Sequence, residues 1–285
     1  MPKLIKLNER EKYRRQTWLI QALESASYLR WSQSRIMSLP VHGIIGYHSS
    51  SAIRVINGHY VHGIPLSDAM KEPIKYWMDK KKHMIAWIAS NCNWTFWPRM
   101  HFVEDLMTHI PVDVYGKCGN LTCLPRMSQK CLRAIESYKF YLALENSECD
   151  DYVTEKFWNA VEHGVVPIVY GPRKDYYSKV APPHSFIYAG DFATVEELAK
   201  YLVHLDKHEN EYVKYFEWRY AGKPAERYID HCMLCDIPEI IKNVSRGLLK
   251  KQPVSTTAYY NSCRPQEGGV EYNNHFDFHN WSPWK

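Results

Sequence analysis

The residues best suited to chemistry stand at the start of two helical patterns. The run Asp151-Tyr-Val-Thr-Glu-Lys156 opens one pattern, and Arg99 opens the other. A helix amino terminus offers free N–H groups and partial positive charge, and each of these two cations adds a full charge. Two cations at one edge of a sheet would clamp a diphosphate and stabilise charge as it leaves. Glu155 could accept hydrogen bonds from sugar or ribose hydroxyls. Singly, these residues are better explained as ordinary helix-end and surface charges, but as a set they indicate a nucleotide-sugar site.

Buried strands must position these side chains. Tyr138–Leu144 is apolar at nearly every position, as is typical of a strand covered on both faces, and the polar Glu145 and Asn146 follow it. A helical pattern then ends at Gly164, and 165–170 is a second buried strand. Such a strand–helix–strand unit places its loops at the carboxyl ends of parallel strands, where open α/β sheets bind ligands.

Further alternating elements predict the fold class. Strands are expected over 16–23, 83–90, 112–115 and 185–189, and helices over 99–110 and 194–205. This order predicts an α/β protein with a doubly wound sheet. The charged run over 68–82 is taken as a boundary. We therefore expect a partial domain over 1–80, the ligand-binding domain over 81–250 and a poorly ordered tail over 251–285.

Composition excludes several classes of protein. The formal net charge of +5 over 285 residues is too small to indicate a nucleic-acid partner. No apolar run approaches the roughly 20 residues of a membrane span, and the first ten residues show no signal-peptide pattern. The chain also lacks the glycine-rich dinucleotide motif, the Walker loop and the nucleophile elbow. The 14 His form no clear cluster, so no metal site is predicted.

Cysteines and glycosylation motifs bear on the cellular compartment. Four Asn-X-Ser/Thr triplets begin at Asn93, Asn120, Asn243 and Asn280. With eight Cys they favour a secretory lumen with disulfides, although the lack of a signal peptide leaves a cytosolic protein open. The Cys232-Met-Leu-Cys235 run is half a zinc site at most, and it is interpreted as a local disulfide.

Glu24 follows the predicted strand over 16–23. From spacing alone it is better explained as a solvated residue at a strand end. The functional alternative is a general base at the carboxyl edge of a strand.

A long gapless run then resembles a known family. The signature of the α1,3-fucosyltransferases, glycosyltransferase family 10, is similar to residues 138–177, YKFYLALENSECDDYVTEKFWNAVEHGVVPIVYGPRKDYY. The resemblance extends to IAWIASNC, PPHSFIYAGDF, CMLC and, more faintly, WLIQALESAS, and it covers about His83 to Cys235. The sequence of these segments is most similar to that of members that act on the N-glycan core.

The resemblance implies a GT-B-type glycosyltransferase with two Rossmann-like domains, the amino-terminal one truncated here. It implies transfer of L-fucose from GDP-fucose in α1,3 linkage to N-acetylglucosamine of glycoprotein N-glycans, with inversion. Lewis-type antenna acceptors are the alternative within the family. By the same resemblance no cofactor is required, and manganese would at most stimulate the reaction. The expected location is the Golgi lumen, with membrane attachment only through an anchor that this chain lacks.

The resemblance also assigns roles to individual residues. Arg99 and Lys156 match the cations on the donor diphosphate, and Glu24 matches the presumed base. Four further positions match the donor pocket and the polar end of its central strand: Glu145, Asn146, Tyr152 and Glu155.

Two departures favour other functions. Arg35-Ile-Met-Ser-Leu39 lacks both acidic residues of the family's Arg-x-Asp-Ser-Asp pattern, and Ala26 replaces a proline. The chain is also expected to begin inside the acceptor domain. A catalytically inactive GDP-sugar-binding relative is therefore one alternative, and a cytosolic Rossmann-type protein unrelated to sugars is another.

Overall fold

The computed structural model describes residues 16–32, 36–63, 73–125, 128–225 and 233–264. The chain folds into two compact units. The first contains the described residues of Met1–Val55 and His231–Asn261, and the second contains those of Ile56–Asp230 and Ser262–Lys285.

The strands in the described ranges are β1 (Leu19–Ala22), β2 (Pro40–Val41), β3 (Gly43–Gly46), β4 (Ile53–Arg54), β5 (His59–His62), β6 (His83–Ile88), β7 (Val112–Tyr115), β8 (Tyr138–Leu144), β9 (Val166–Tyr170), β10 (Ile187–Tyr188), β11 (Gly222–Ala225) and β12 (Gln252–Pro253). The α-helices there are α1 (Ala26–Ser32), α2 (Ile74–Met78), α3 (Arg99–His109), α4 (Gln129–Ile135), α5 (Glu155–Glu162), α6 (Lys174–Val180), α7 (Val195–Lys207), α8 (Glu209–Tyr212) and α9 (Ile237–Ser245). None of the helices in these ranges has the length and apolar character needed to cross a membrane.

The first unit contains a small parallel sheet in the order β1-β3-β4. Helix α9 packs on it through Ile240, which joins Ile53 and Val55 in a buried apolar cluster. Strand β12 pairs antiparallel with β2. Val254 and Tyr259, just beyond β12, are both fully buried. Residues 251–264 are therefore ordered by buried apolar side chains and strand pairing, unlike the poorly ordered tail predicted over 251–285. Residues 265–285 lie outside the described residues.

The second unit is organised around a five-stranded sheet in the order β10-β9-β8-β6-β7. All of its pairings are parallel. Strand β8 lies at the centre, with Phe140 and Leu142 in the core on one face and Tyr141 and Ala143 in the core on the other. Helices α3 and α7 cover the first face, and α5 covers the second. Both faces are apolar because helices cover both, as a parallel sheet requires.

Several predicted elements agree closely with these bounds. Strands β7 and β8 have the predicted limits, and β6, β9, α3 and α7 differ from them by one or two residues at either end. Helices α4 and α6 were not predicted. Each has only seven residues, too few for a helical period to be distinguished from a loop.

Candidate functional site

A cluster of polar residues lies at the carboxyl edge of the five-stranded sheet. Glu145, the first residue after β8, is at its centre. Its side chain is fully buried. One carboxylate oxygen accepts hydrogen bonds from the Thr154 main-chain N–H and hydroxyl, both at 2.8 Å. The other accepts from the Lys156 ammonium at 2.9 Å. A group that accepts from so many donors has the geometry of an ionised carboxylate. Burial raises the pKa of Glu145, and the Lys156 charge opposes that rise.

Lys156 lies in the first turn of α5, where the helix dipole by itself disfavours a cation. Its ammonium lies 2.9 Å from Glu145, 2.8 Å from the Thr154 hydroxyl and 3.7 Å from a Glu155 carboxylate oxygen. Burial alone would lower the pKa of Lys156, but the two carboxylates outweigh it and raise the pKa above its ordinary value. The side chain is 23% exposed. The structure therefore holds a charged lysine whose side chain is partly open to solvent.

Arg99 opens α3 but is itself buried, with 3% exposure. Its guanidinium donates to the carbonyl of Leu144 at 2.9 Å and to the carbonyl of Asn91 at 2.6 Å. It thereby joins the carboxyl ends of β8 and β6. Its Nε has no hydrogen-bond partner among the described residues. Burial lowers the pKa of Arg99 to about 10, so the side chain is still a cation at neutral pH.

Hydrogen bonds hold the start of the loop between β8 and α5. The Asn146 carbonyl accepts from the Phe96 N–H at 2.7 Å, and the Glu145 carbonyl accepts from the Trp97 indole at 2.8 Å. Asp151 has a φ of 62° and begins the turn that carries the chain into the helix. Tyr152, next to it, is 3% exposed.

A segment far along the chain also holds this loop. Cys149 forms a disulfide with Cys263, 114 residues away. The Arg264 N–H donates to the Glu148 carbonyl at 2.8 Å, and the Arg264 guanidinium lies 3.1 Å from the Glu148 carboxylate. The Tyr170 hydroxyl, at the end of β9, donates to the same carboxylate at 2.6 Å. Residues 262–264 are thus part of the framework of the site.

The structure brings six of the seven residues predicted for catalysis and donor binding to this edge. Lys156, Glu155 and Asn146 are partly exposed, whereas Glu145, Arg99 and Tyr152 are buried. This division suits direct contact with a ligand for the first three and positioning for Glu145. The predicted roles of all six in donor binding stay predictions.

Comparison with known proteins identifies the family. Residues 78–251, more than half of the chain, match the model described as glycosyltransferase family 10 (fucosyltransferase) C-term. The chain belongs to glycosyltransferase family 10. The predicted α/β fold class of the GT-B type is thereby confirmed.

Curated relatives agree with this assignment. The family 10 chain is 40% identical over 167 residues to glycoprotein 3-alpha-L-fucosyltransferase A of Drosophila melanogaster. It is 38% identical over 165 residues to a 3-galactosyl-N-acetylglucosaminide 4-alpha-L-fucosyltransferase of Pongo pygmaeus. It is also 38% identical over 148 residues to a 4-galactosyl-N-acetylglucosaminide 3-alpha-L-fucosyltransferase of Homo sapiens. These matches cover 58%, 55% and 52% of the chain, but only 33%, 42% and 40% of the relatives.

Solved structures of an alpha1,3-fucosyltransferase are also similar. The structure with GDP-fucose has a TM-score of 0.46 and 26% identity, over 57% of this chain and 48% of that one. The structure with GDP has the same TM-score and 28% identity, over the same shares.

Glu24 of the family 10 chain lies in the first unit. It is exposed at the carboxyl end of β1, as predicted from its spacing. Its carbonyl accepts a hydrogen bond from the Tyr259 hydroxyl at 2.6 Å, which fixes the backbone there. Its role as a base stays a prediction.

Disulfides are present in the family 10 chain. Besides Cys149–Cys263, the structure contains Cys92–Cys118 and Cys123–Cys131. Cys235 is disulfide-bonded as well, while its predicted partner Cys232 lies outside the described residues. No group of three or more potential metal ligands occurs within the described ranges.

Sequence reasoning missed two components of the site. Thr154 bridges Glu145 and Lys156 through one hydroxyl. Its position two residues before Lys156 could have indicated that it belongs to the site. The Cys149–Cys263 bond could not be found from spacing, because eight cysteines permit 105 full pairings.

Proposed function

We propose that this chain transfers L-fucose from GDP-fucose to a glycan. The observation that carries the proposal is the partly exposed Lys156 side chain, whose ammonium two carboxylates keep charged at the carboxyl edge of the sheet. A departing diphosphate needs such a preorganised cation. Family membership supports the same reaction, because the family signature implies GDP-fucose as the donor.

In the proposed reaction an acceptor hydroxyl oxygen attacks C1 of fucose from the face opposite the diphosphate. The bond from C1 to the diphosphate oxygen breaks, and GDP leaves with the electron pair. The hydroxyl proton passes to the Glu24 carboxylate, so the anomeric centre inverts. Lys156 meets the developing phosphate charge, Glu155 binds the sugar, and Asn146 and Tyr152 complete the donor pocket. Arg99 supports the strand ends beneath the phosphate and contributes its charge. Because side chains stabilise the charge of the leaving diphosphate, we expect that the reaction requires no metal. Manganese would at most stimulate it.

For the acceptor we propose N-acetylglucosamine of a glycoprotein N-glycan core, fucosylated in α1,3 linkage. The name of the Drosophila melanogaster relative, a glycoprotein 3-alpha-L-fucosyltransferase, supports this choice. The primate relatives are named for galactosyl-N-acetylglucosaminide acceptors, which supports antenna fucosylation as the alternative. We further propose that the acceptor binds within 1–80 and the donor within 81–250. In the structure the described residues of 56–80 belong to the second unit, and those of 231–250 belong to the first. The proposed location is the Golgi lumen, in keeping with the disulfides.

A second candidate is a relative that binds GDP-fucose without transferring it. Its support is the absence of carboxylates at Met37 and Leu39, where the family pattern carries two aspartates. In the structure the carbonyls of both residues accept hydrogen bonds from residues 254–255.

The deciding experiment measures GDP binding by calorimetry and fucose transfer by mass spectrometry on the same preparation. Acceptors are an N-glycan core glycopeptide and a galactosyl-N-acetylglucosamine antenna. We expect binding, transfer to the core N-acetylglucosamine, and loss of transfer but not of GDP binding in Glu24→Gln. Binding with no transfer to either acceptor would establish the second candidate, and full activity of Glu24→Gln would remove the proposed base.

A further inference from the structure

Two Asn-X-Thr triplets share one corner of the second unit. Asn93 lies in the turn after β6, and Asn120 lies in the turn after β7, a neighbouring strand. The Cys92–Cys118 disulfide joins these two turns. The Cys118 N–H also donates to the Ala89 carbonyl at 3.2 Å. Both triplets therefore sit on a covalently closed corner at the carboxyl edge of the sheet.

The hydrogen bonds described for each turn join residues other than the acceptor asparagine. In the first turn the Asn91 side chain accepts from the Trp94 N–H at 3.0 Å and donates to the Trp94 carbonyl at 2.7 Å. In the second, the Gly116 N–H donates to the Leu121 carbonyl at 2.9 Å. Asn93 and Asn120 are both exposed. A bulky polar group on either carboxamide would thus extend into water without displacing a packed side chain.

The third triplet has a different setting. Asn243 lies within α9, is only partly exposed, and has a carbonyl that accepts from the Leu248 and Leu249 N–H groups. A glycan at this position would have to leave a half-buried helix surface. Asn280 lies outside the described residues.

We propose that Asn93 and Asn120 each carry an N-linked glycan and that Asn243 does not. The carboxamide nitrogen would form a bond to C1 of the first sugar of a lipid-linked oligosaccharide diphosphate. The C1–oxygen bond to the diphosphate breaks, the lipid diphosphate leaves with the electron pair, and an amide proton is released. The disulfides at this corner place the chain in the oxidising compartment where such donors are used. The proposal is independent of fucose transfer.

The test is a peptide map of the full chain, secreted from eukaryotic cells behind a cleavable signal. Treatment with peptide N-glycosidase in heavy-oxygen water converts each glycosylated Asn to labelled Asp. We expect the label at Asn93 and Asn120 and unlabelled Asn at 243. Unmodified Asn93 or Asn120 in the folded protein, or a glycan at Asn243, would overturn the proposal.

Matched variants locate each glycan independently. Asn93→Gln and Asn120→Gln should each remove one glycan, and Asn243→Gln should remove none. Thr95→Ser and Thr122→Ser keep the triplets and should keep the glycans; in Thr95→Ser the hydroxyl can also still donate to the Trp97 carbonyl. The wild-type peptide map decides the proposal by itself, so a variant that fails to fold does not weaken the test.

Discussion

At the carboxyl edge of the five-stranded sheet Lys156 faces two carboxylates, whereas at the amino edge Lys81 faces main-chain carbonyl groups. The Lys81 ammonium donates to the Gly164 carbonyl at 2.6 Å and to the Glu136 carbonyl at 2.9 Å. These residues lie just before β9 and β8. Burial, reinforced by the charge of Arg219, lowers the pKa of Lys81 to about 7.

The nearby carboxylate at the amino edge serves other partners. Glu136 accepts from the Lys80 ammonium at 2.6 Å and lies 3.0 Å from His163. Its carboxylate therefore gives Lys81 only indirect support, and the pKa of Lys81 falls. The comparison teaches that the partner, rather than the residue type, decides whether a semi-buried lysine keeps its charge. At one edge two carboxylates thus keep a lysine charged, and at the other a lysine joins the starts of two strands through their carbonyl groups.

The largest expected effect is the loss of the cation at the carboxyl edge. Lys156→Ala should lower the rate of fucose transfer on the order of 10²–10³-fold, because the leaving diphosphate loses its preorganised charge. The measurement is kcat/KM for GDP-fucose. Lys81→Met, at the other edge, is the control and should leave transfer unchanged. Equal losses in both variants would mean that the two edges do not differ in function.

The disulfide that holds the carboxyl-edge loop should have the next largest effect. The double variant Cys149→Ser/Cys263→Ser should lower the free energy of unfolding by about 2–4 kcal/mol, because the bond closes a long loop of the unfolded chain. Urea denaturation measures it, and KM for GDP-fucose should rise as the loop loosens. The matched control is Cys123→Ser/Cys131→Ser, whose eight-residue separation predicts a smaller loss. An unchanged KM would show that residues 262–264 do not position the loop.

Glu145→Gln sharpens the comparison through pH. Because the Glu145 carboxylate helps raise the pKa of Lys156, its loss should lower that pKa, and the ammonium should lose its proton at a lower pH than in the wild type. Transfer should therefore fall roughly tenfold on the alkaline side, in line with the ~1.5 kcal/mol of a charge-assisted hydrogen bond. The pH profile of kcat/KM measures this. Glu155 lies farther from the Lys156 ammonium, at 3.7 Å, so Glu155→Gln should shift the alkaline limb of the pH profile less. An unshifted alkaline limb in Glu145→Gln would contradict the role of Glu145 in keeping Lys156 charged.

The smallest expected effect concerns stability at the amino edge. The pKa of Lys81 is about 7 in the folded chain and 10.5 when exposed. Between these values the unfolded chain binds more protons, so the free energy of unfolding should rise with pH from about 7 upward. Lys81→Met should remove about 1 kcal/mol of that rise between about pH 7 and about pH 8. Chemical denaturation at a series of pH values measures it, with Lys82→Met as the exposed control; an identical slope in Lys81→Met would contradict the lowered pKa.

Much of the second unit could be predicted from its sequence. Continuous apolar runs such as Tyr138–Leu144 mark buried parallel strands, because both faces of each strand are covered. Their carboxyl ends share one edge, so Lys156 and Arg99 could be assigned to that edge without coordinates. The first unit was predicted less well. Its strands have two to four residues, which is too short to show a period.

What the sequence by itself determined is the family, the α/β sheet and the set of polar residues at its carboxyl edge. Only the tertiary structure decided which of them a ligand can reach. Arg99 and Lys156 are both cations at helix starts, yet one donates to main-chain carbonyls in the interior and the other is partly exposed beside Glu145. Charge and access depend on burial and on partners that are distant along the chain, such as Cys263 for Cys149. Those contacts exist only after folding, so no local pattern encodes them.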